Sequence, residues 1–75
     1  MSMTYNEFVD DVMAKVTECP KCWRKGQSVF NVVDDHYGVA RSVQFIDHVD
    51  CFYNDDKIDE FLTKAYIKLT ENESN

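Results

Sequence analysis

Glycine and proline are scarce in this sequence, with two glycines and one proline among 75 residues. Long apolar runs are absent as well, and no stretch approaches the length that a membrane span needs. The opening segment MSMTYNEF lacks the basic and apolar regions of a signal peptide. We therefore predict a single cytoplasmic domain over residues 1–75 that does not associate with membranes.

Basic residues are also few, since eight lysines and arginines stand against 14 acidic residues and give a net charge of −6. Non-specific nucleic-acid binding needs a basic face that neutralises phosphates, so direct binding to nucleic acid is not predicted. The acidic excess suits simple solubility. It also leaves open an acidic mimic of DNA. The carboxylates for that role are Asp10, Asp11, Asp55, Asp56, Asp59 and Glu60.

Apolar and aromatic residues are plentiful, at 44% and 13% of the chain, which predicts a folded globular protein. Thr4 and Glu7 form a capping box at the start of a first helix, and apolar residues at helical spacing follow them. A second helix is expected to begin around Pro20, which suits a first helical position. Gly38 is expected to cap its end.

Two further helices are predicted in the second half of the chain. A short one covers 39–46, where Val39, Val43 and Ile46 have helical spacing. The last begins near 54–56, whose side chains suit a cap, and carries a regular apolar face. Residues 71–75 are expected to form a frayed polar tail. The predicted fold is a compact all-α bundle of three main helices plus one short helix.

The cysteines raise the possibility of a metal site, because Cys19-x-x-Cys22 and His48-x-x-Cys51 supply four potential zinc ligands. Zinc would add binding free energy to the stability of a small domain. Against this, the bulky Trp23 directly follows Cys22, where zinc knuckles usually carry glycine, and thiols at a helix start can pack as small apolar groups. A zinc-stabilised domain stays as an alternative, and no cofactor is predicted.

Two blocks of residues give the chain a resemblance. The first matches W-R-x-G-Q-x-x-F-N through Trp23, Arg24, Gly26, Gln27, Phe30 and Asn31. The second includes Asp50, Phe52, Tyr53, Asp55 or Asp56, Ile58 and Phe61. Together they resemble a family of small uncharacterised bacterial and phage proteins whose second block reads D-P-F-Y-x-D-x-x-I-x-x-F. The resemblance spans roughly residues 5–69 and implies a phage or prophage origin, but it implies no activity. The family pattern requires no cysteine, and it has proline where Cys51 stands.

The first block breaks helix rules, because cations at 21, 24 and 25 oppose the helix dipole and Gly26 weakens a helix interior. Such violations often mark sites where another contact compensates. One interpretation is internal. Arg24 would pair with Asp50 or a neighbouring carboxylate, and Gly26 would let the loop DCFYND approach closely.

In the same interpretation Gln27 and Asn31 hydrogen-bond the backbone of that loop, and Phe52 and Tyr53 anchor it on the bundle. The other interpretation is a binding surface, since Trp23, Arg24, Phe52 and Tyr53 are residue types enriched in binding hot spots. Both interpretations use the same residues, and the sequence leaves both open.

Catalysis has little support, because Asp34, Asp35 and His36 are neighbours on a helix and point in different directions. The sequence also lacks a nucleophile elbow, a phosphate-binding loop and a metalloprotease motif. We therefore predict a non-enzymatic protein that binds another protein. Substitution of Trp23 or Arg24 by alanine is expected to abolish capture of that partner. A homodimer that buries Phe45 and Ile46 is a further possibility.

Overall fold

Four α-helices make up most of the chain in the computed structural model, which describes residues 3–73. They are α1 Tyr5–Val16, α2 Lys25–Tyr37, α3 Ala40–Ile46 and α4 Ile58–Glu73, and a 3-10 turn, Asp55–Lys57, leads into α4. No strand occurs within the described range. The predicted all-α bundle of three main helices and one short helix is confirmed.

The predicted capping box starts α1. The Thr4 hydroxyl accepts a hydrogen bond from the backbone N–H of Glu7 at 3.1 Å, and the Glu7 carboxylate accepts one from the N–H of Thr4 at 2.8 Å. Each side chain thus satisfies a backbone donor that has no partner in the first turn. The helix then buries Phe8 and Val12 on the predicted face.

The predicted start of α2 is wrong. The helix begins at Lys25, and Arg24 precedes it in extended geometry without a side-chain cap. Pro20 lies in a turn instead, where its carbonyl accepts a hydrogen bond from the N–H of Trp23 at 3.1 Å. The fixed φ of proline suits a turn as well as a helix start. The predicted end is confirmed, because Gly38 adopts φ 71° and donates its N–H to Val33.

The last two helices lie where they were predicted. Asn54 caps the turn before α4, since its side-chain oxygen accepts from the N–H of Asp56 at 3.0 Å. The helix continues to Glu73, so the predicted frayed tail overlaps its last turn, and residues 74–75 lie outside the described range. Ile46 shares a predicted stripe with the buried Val43, yet it is 68% exposed at the end of α3.

All four helices contribute to one apolar core. Phe30 of α2 packs on Phe61 of α4 with ring centroids 5.5 Å apart. An ion pair between Lys68 and Asp47, 3.1 Å long, joins α4 to the end of α3. None of the helices in the described range is long and apolar enough to cross a membrane. The core residues are Phe8, Val12, Val29, Phe30, Val32, Val33, Val39, Ala40, Val43, Val49, Cys51, Ile58, Phe61, Leu62 and Ala65.

Candidate functional site: an aromatic cleft beside the docked loop

The loop between α3 and α4 lies directly against the start of α2, at Gly26. The Gly26 N–H donates to the Asp55 carboxylate at 2.9 Å. A Cβ atom at this position would overlap the carbonyl oxygen of Cys51 and lie 2.7 Å from Oδ1 of Asp55. Glycine therefore lets the loop approach, as predicted. Asp55 also supplies the negative charge and the acceptor that the uncapped helix start lacks.

Cys51 reinforces the same contact from the loop side. Its thiol is fully buried and donates to the carbonyl of Gly26 at 3.3 Å. Burial, with a smaller contribution from the nearby Asp50 charge, raises the pKa of the Cys51 thiol to about 12. The sulfur therefore stays protonated at neutral pH and serves as a hydrogen-bond donor rather than as a thiolate nucleophile.

Arg24 holds the middle of the loop, although not through the predicted carboxylate. Its guanidinium donates to the carbonyl of Phe52, and its Cζ lies 6.0 Å from the centroid of the Tyr53 ring. Asp50 instead accepts from Nε2 of Gln44 at 3.0 Å and from the N–H of Phe52 at 2.8 Å. The predicted Arg24–Asp50 pair is therefore wrong, because Asp50 closes a local turn of its own loop.

The predicted hydrogen bonds from Gln27 and Asn31 to the loop are also wrong. Both side chains are half-buried, and neither makes a hydrogen bond to the loop among the described residues. Asn31 and Trp23 border a separate pocket beside the end of α1, together with Lys15, Glu18, Cys19, Pro20, Val32, Asp35 and His36. Trp23 precedes the observed start of α2, whereas the predicted start near Pro20 placed it within the helix.

The four candidate zinc ligands do not form a site. Across residues 3–73, no three His, Cys, Asp or Glu side chains gather closely enough to hold a metal ion. Cys22 is exposed, Cys19 is half-buried and Cys51 is buried in its contact with Gly26. His48 adopts φ 60° just after α3. The zinc-stabilised alternative therefore lacks a set of ligands in the part of the chain that the structure describes.

The acidic residues are partly occupied within the fold. Asp11 pairs with Lys15 at 2.6 Å and accepts a hydrogen bond from Tyr37, and these contacts hold its pKa below the ordinary value. Asp55 caps α2. Glu60 pairs with Lys57 at 3.7 Å. Three of the six carboxylates proposed for DNA mimicry thus make contacts within the fold.

Beside the docked loop lies an open cleft of about 190 Å³. Phe45 is 68% exposed and Tyr53 is 74% exposed. The Phe52 ring packs edge-on against both Phe30 and Tyr53, with centroids 5.5 and 4.8 Å apart. We call this surface the aromatic cleft, and its lining residues are Phe30, Arg41, Gln44, Phe45, Phe52 and Tyr53.

The predicted site residues therefore separate into different places. Phe52 and Tyr53 line the aromatic cleft, and Arg24 and Asp50 support its loop. Trp23 and Asn31 lie at the other pocket, and Gln27 borders neither. Arg41 and Gln44 also line the cleft, and neither was a predicted site residue. Their positions on the short helix gave no signal, because only the folded loop brings them beside the aromatic rings.

The comparisons with protein-family models, with curated proteins and with solved structures found no match to this chain.

Proposed function

We propose that the chain is a non-enzymatic protein-binding module and that its partner occupies the aromatic cleft. The observation that carries this proposal is the exposure of Phe45 and Tyr53, which both line one cleft. Large apolar side chains gathered on a surface are typical of interaction sites. A partner that covered these rings would bury their apolar surface, which stabilises a complex by about 25 cal/mol for each Å² removed from water.

The support beneath the cleft suits a preorganised binding surface. Phe52 is fixed between the buried Phe30 ring and the guanidinium that holds its carbonyl. Asp50 and Gln44 add a hydrogen bond between the loop and α3. A surface that is already ordered loses less conformational entropy when a partner binds.

The chemistry around the cleft favours binding over catalysis. Asp50 has both carboxylate oxygens engaged in hydrogen bonds, and Cys51 is buried with its proton held. Neither residue is among the lining of the cleft, and the buried Cys51 thiol is not available there as a nucleophile. The predicted cytoplasmic location and phage origin are kept as part of the proposal.

The test begins with a partner isolated on tagged protein from the native host and then purified. We expect Phe45→Ala and Tyr53→Ala each to weaken its binding about tenfold, which is the effect of losing a modest hot-spot side chain. Ile67→Ala is the matched control, because Ile67 is also an exposed apolar residue but lies on α4 outside the cleft. All three variants should keep their stability within about 0.5 kcal/mol.

The sequence predicted one surface that contains Trp23 and Tyr53, and Trp23→Ala now distinguishes the aromatic cleft from the pocket that Trp23 borders. Since Trp23 borders the pocket beside α1, this variant should retain binding if the cleft is the site. Loss of binding with Trp23→Ala alone, while the folded cleft variants bind normally, would contradict the proposal and move the surface to that pocket.

A further inference from the structure

Both arginines of the chain lie at the aromatic cleft. Arg41 is part of its lining, and the Cζ atom of Arg24 lies 6.0 Å from the centroid of the Tyr53 ring, which also lines the cleft. The guanidinium group is planar and can bind a carboxylate through two parallel hydrogen bonds, which a lysine ammonium cannot do. In a chain of net charge −6, this placement concentrates such donors beside exposed aromatic rings.

Most of these N–H donors make no hydrogen bond within the described residues, although Arg41 forms an ion pair with Asp34. The Arg41 side chain is 75% exposed, and its Nε lies 3.7 Å from Oδ1 of Asp34, which is too long for a hydrogen bond. Arg24 donates to the carbonyl of Phe52 and leaves its remaining N–H groups free in the described range. Asp50 accepts from Gln44 and Phe52, and among the described residues it makes no hydrogen bond or ion pair with either arginine.

We infer that the aromatic cleft binds a protein segment in which an aspartate or glutamate side chain lies beside an apolar side chain. This inference rests on the proposed function and specifies the chemistry of the partner. The apolar side chain would pack on Phe45 and Tyr53, and the carboxylate would accept two parallel hydrogen bonds from the Arg41 guanidinium. The chain's overall negative charge is screened over about 8 Å at physiological ionic strength, so the short-range arginine contacts decide the preference.

Other occupants fit the cleft less well. A nucleic acid also offers oxyanions, but eight basic residues in the whole chain are too few to neutralise its successive phosphates. A second copy paired symmetrically through this surface would bring the arginines of the two chains toward each other. Titration with a single-stranded oligonucleotide tests the first of these occupants, and sedimentation velocity tests the second.

The experiment follows ¹⁵N-labelled protein by NMR during titration with two short peptide pools. Both pools contain the same randomised apolar residues, and the acidic pool carries glutamate where the neutral pool carries glutamine. We expect the acidic pool to shift the Arg41 side-chain signal and the amide signals of Phe45 and Tyr53. Its affinity should exceed that of the neutral pool about tenfold, as expected for one charge-assisted contact.

Three variants show whether the arginine fork causes this preference. Arg41→Gln should remove the preference for the acidic pool while binding of the neutral pool remains. Arg41→Lys should restore only part of it, because charge is kept and the bidentate geometry is lost. Lys21→Gln is the matched control, since Lys21 is an exposed cation away from the cleft, and it should leave the preference unchanged.

Several results would overturn the inference. Equal binding of the two pools at the cleft would show an apolar surface without carboxylate selectivity, and the proposed function would still stand. Stronger shifts with a single-stranded oligonucleotide, or with a lysine-bearing pool, would assign the cleft to other chemistry. No shift at the cleft with any pool would also refute it. The proposed function is tested separately by the purified partner and the alanine variants at Phe45 and Tyr53.

Discussion

Among single residues, Gly26 has the most specific role in forming the site. The loop carbonyl of Cys51 occupies the space that any side chain at this position would need. The same residue hydrogen-bonds the loop through both its N–H and its carbonyl oxygen. The position of Phe52 and Tyr53 beside the cleft therefore depends on an absent Cβ atom.

Gly26→Ala should lower the free energy of unfolding by about 3 kcal/mol, because the clash is with backbone rather than with a flexible side chain. Urea unfolding followed by circular dichroism measures this change. Gly38→Ala is the control. Gly38 has open space around it, and its φ of 71° should cost an alanine only about 1 kcal/mol. A Gly26 variant that is more stable than the Gly38 variant would contradict the close approach.

The sequence marks Gly26 as unusual, but the structure gives it a different position in the helix. It appeared to be a glycine that weakens a helix interior, whereas it stands in the first turn of α2. The close approach of the loop was predicted correctly. The partner of its N–H, Asp55, was not predicted, because a cap supplied by another segment leaves no local pattern.

Among the helices, α1 and α2 are joined by a polar contact at their edge. The Tyr37 hydroxyl donates to Asp11, which also pairs with Lys15 at 2.6 Å. The Tyr37 ring packs edge-on against the buried Phe8, with centroids 5.0 Å apart. Burial and the hydrogen bond to Asp11 raise the pKa of Tyr37 from 10.0 to about 12. Because of this contact, the stability of the bundle should fall as the pH becomes alkaline.

Because the pKa of Tyr37 is raised in the folded state, its contribution to stability is complete below 10.0 and is lost as pH rises toward about 12. The pKa of the Cys51 thiol is also raised by folding, from 9.0 to about 12, so its contribution to stability is likewise lost at alkaline pH. Tyr37→Phe keeps the ring and removes the hydroxyl, so it should cost about 1 kcal/mol at neutral pH.

The variant should also lose stability less steeply than the wild type between pH 10 and about 12, since only the Cys51 part remains. Urea unfolding at a series of pH values compares the two proteins. Parallel stability curves across this range would show that the Tyr37–Asp11 contact does not contribute.

The helices were predictable to different degrees for a local reason. Thr4 with Glu7, Asn54 and Gly38 specify helix ends through contacts with residues a few positions away. The start of α2 was mispredicted because Pro20 is compatible with both a turn and a first helical residue. Nothing near Arg24 signals a cap, since its capping carboxylate comes from Asp55.

At the scale of the whole molecule, charge and apolar surface favour different kinds of association. The sequence raised the possibility of a homodimer that buries Phe45 and Ile46, and both side chains are exposed in the structure. A net charge of −6 opposes the approach of two copies, and the arginines at the cleft would oppose a symmetric contact there. The molecule should therefore associate with a different chain more readily than with itself.

We expect sedimentation velocity at micromolar concentration to show a monomer whose sedimentation coefficient does not change with concentration. Phe45→Ala should leave this result unaltered. A coefficient that rises with concentration in the wild type, and stays constant in Phe45→Ala, would instead identify a second copy as the occupant of the aromatic cleft.

The sequence by itself determined the helical class, the capping of α1 and the end of α2, because these depend on side chains within one or two turns of each other. It also marked Phe52 and Tyr53 as residues of interest. Only the tertiary structure decided that Phe45 and Arg41 join them in one cleft while Trp23 lies elsewhere. The reason is that the cleft exists only where the loop docks on Gly26, and that contact joins segments far apart in the chain.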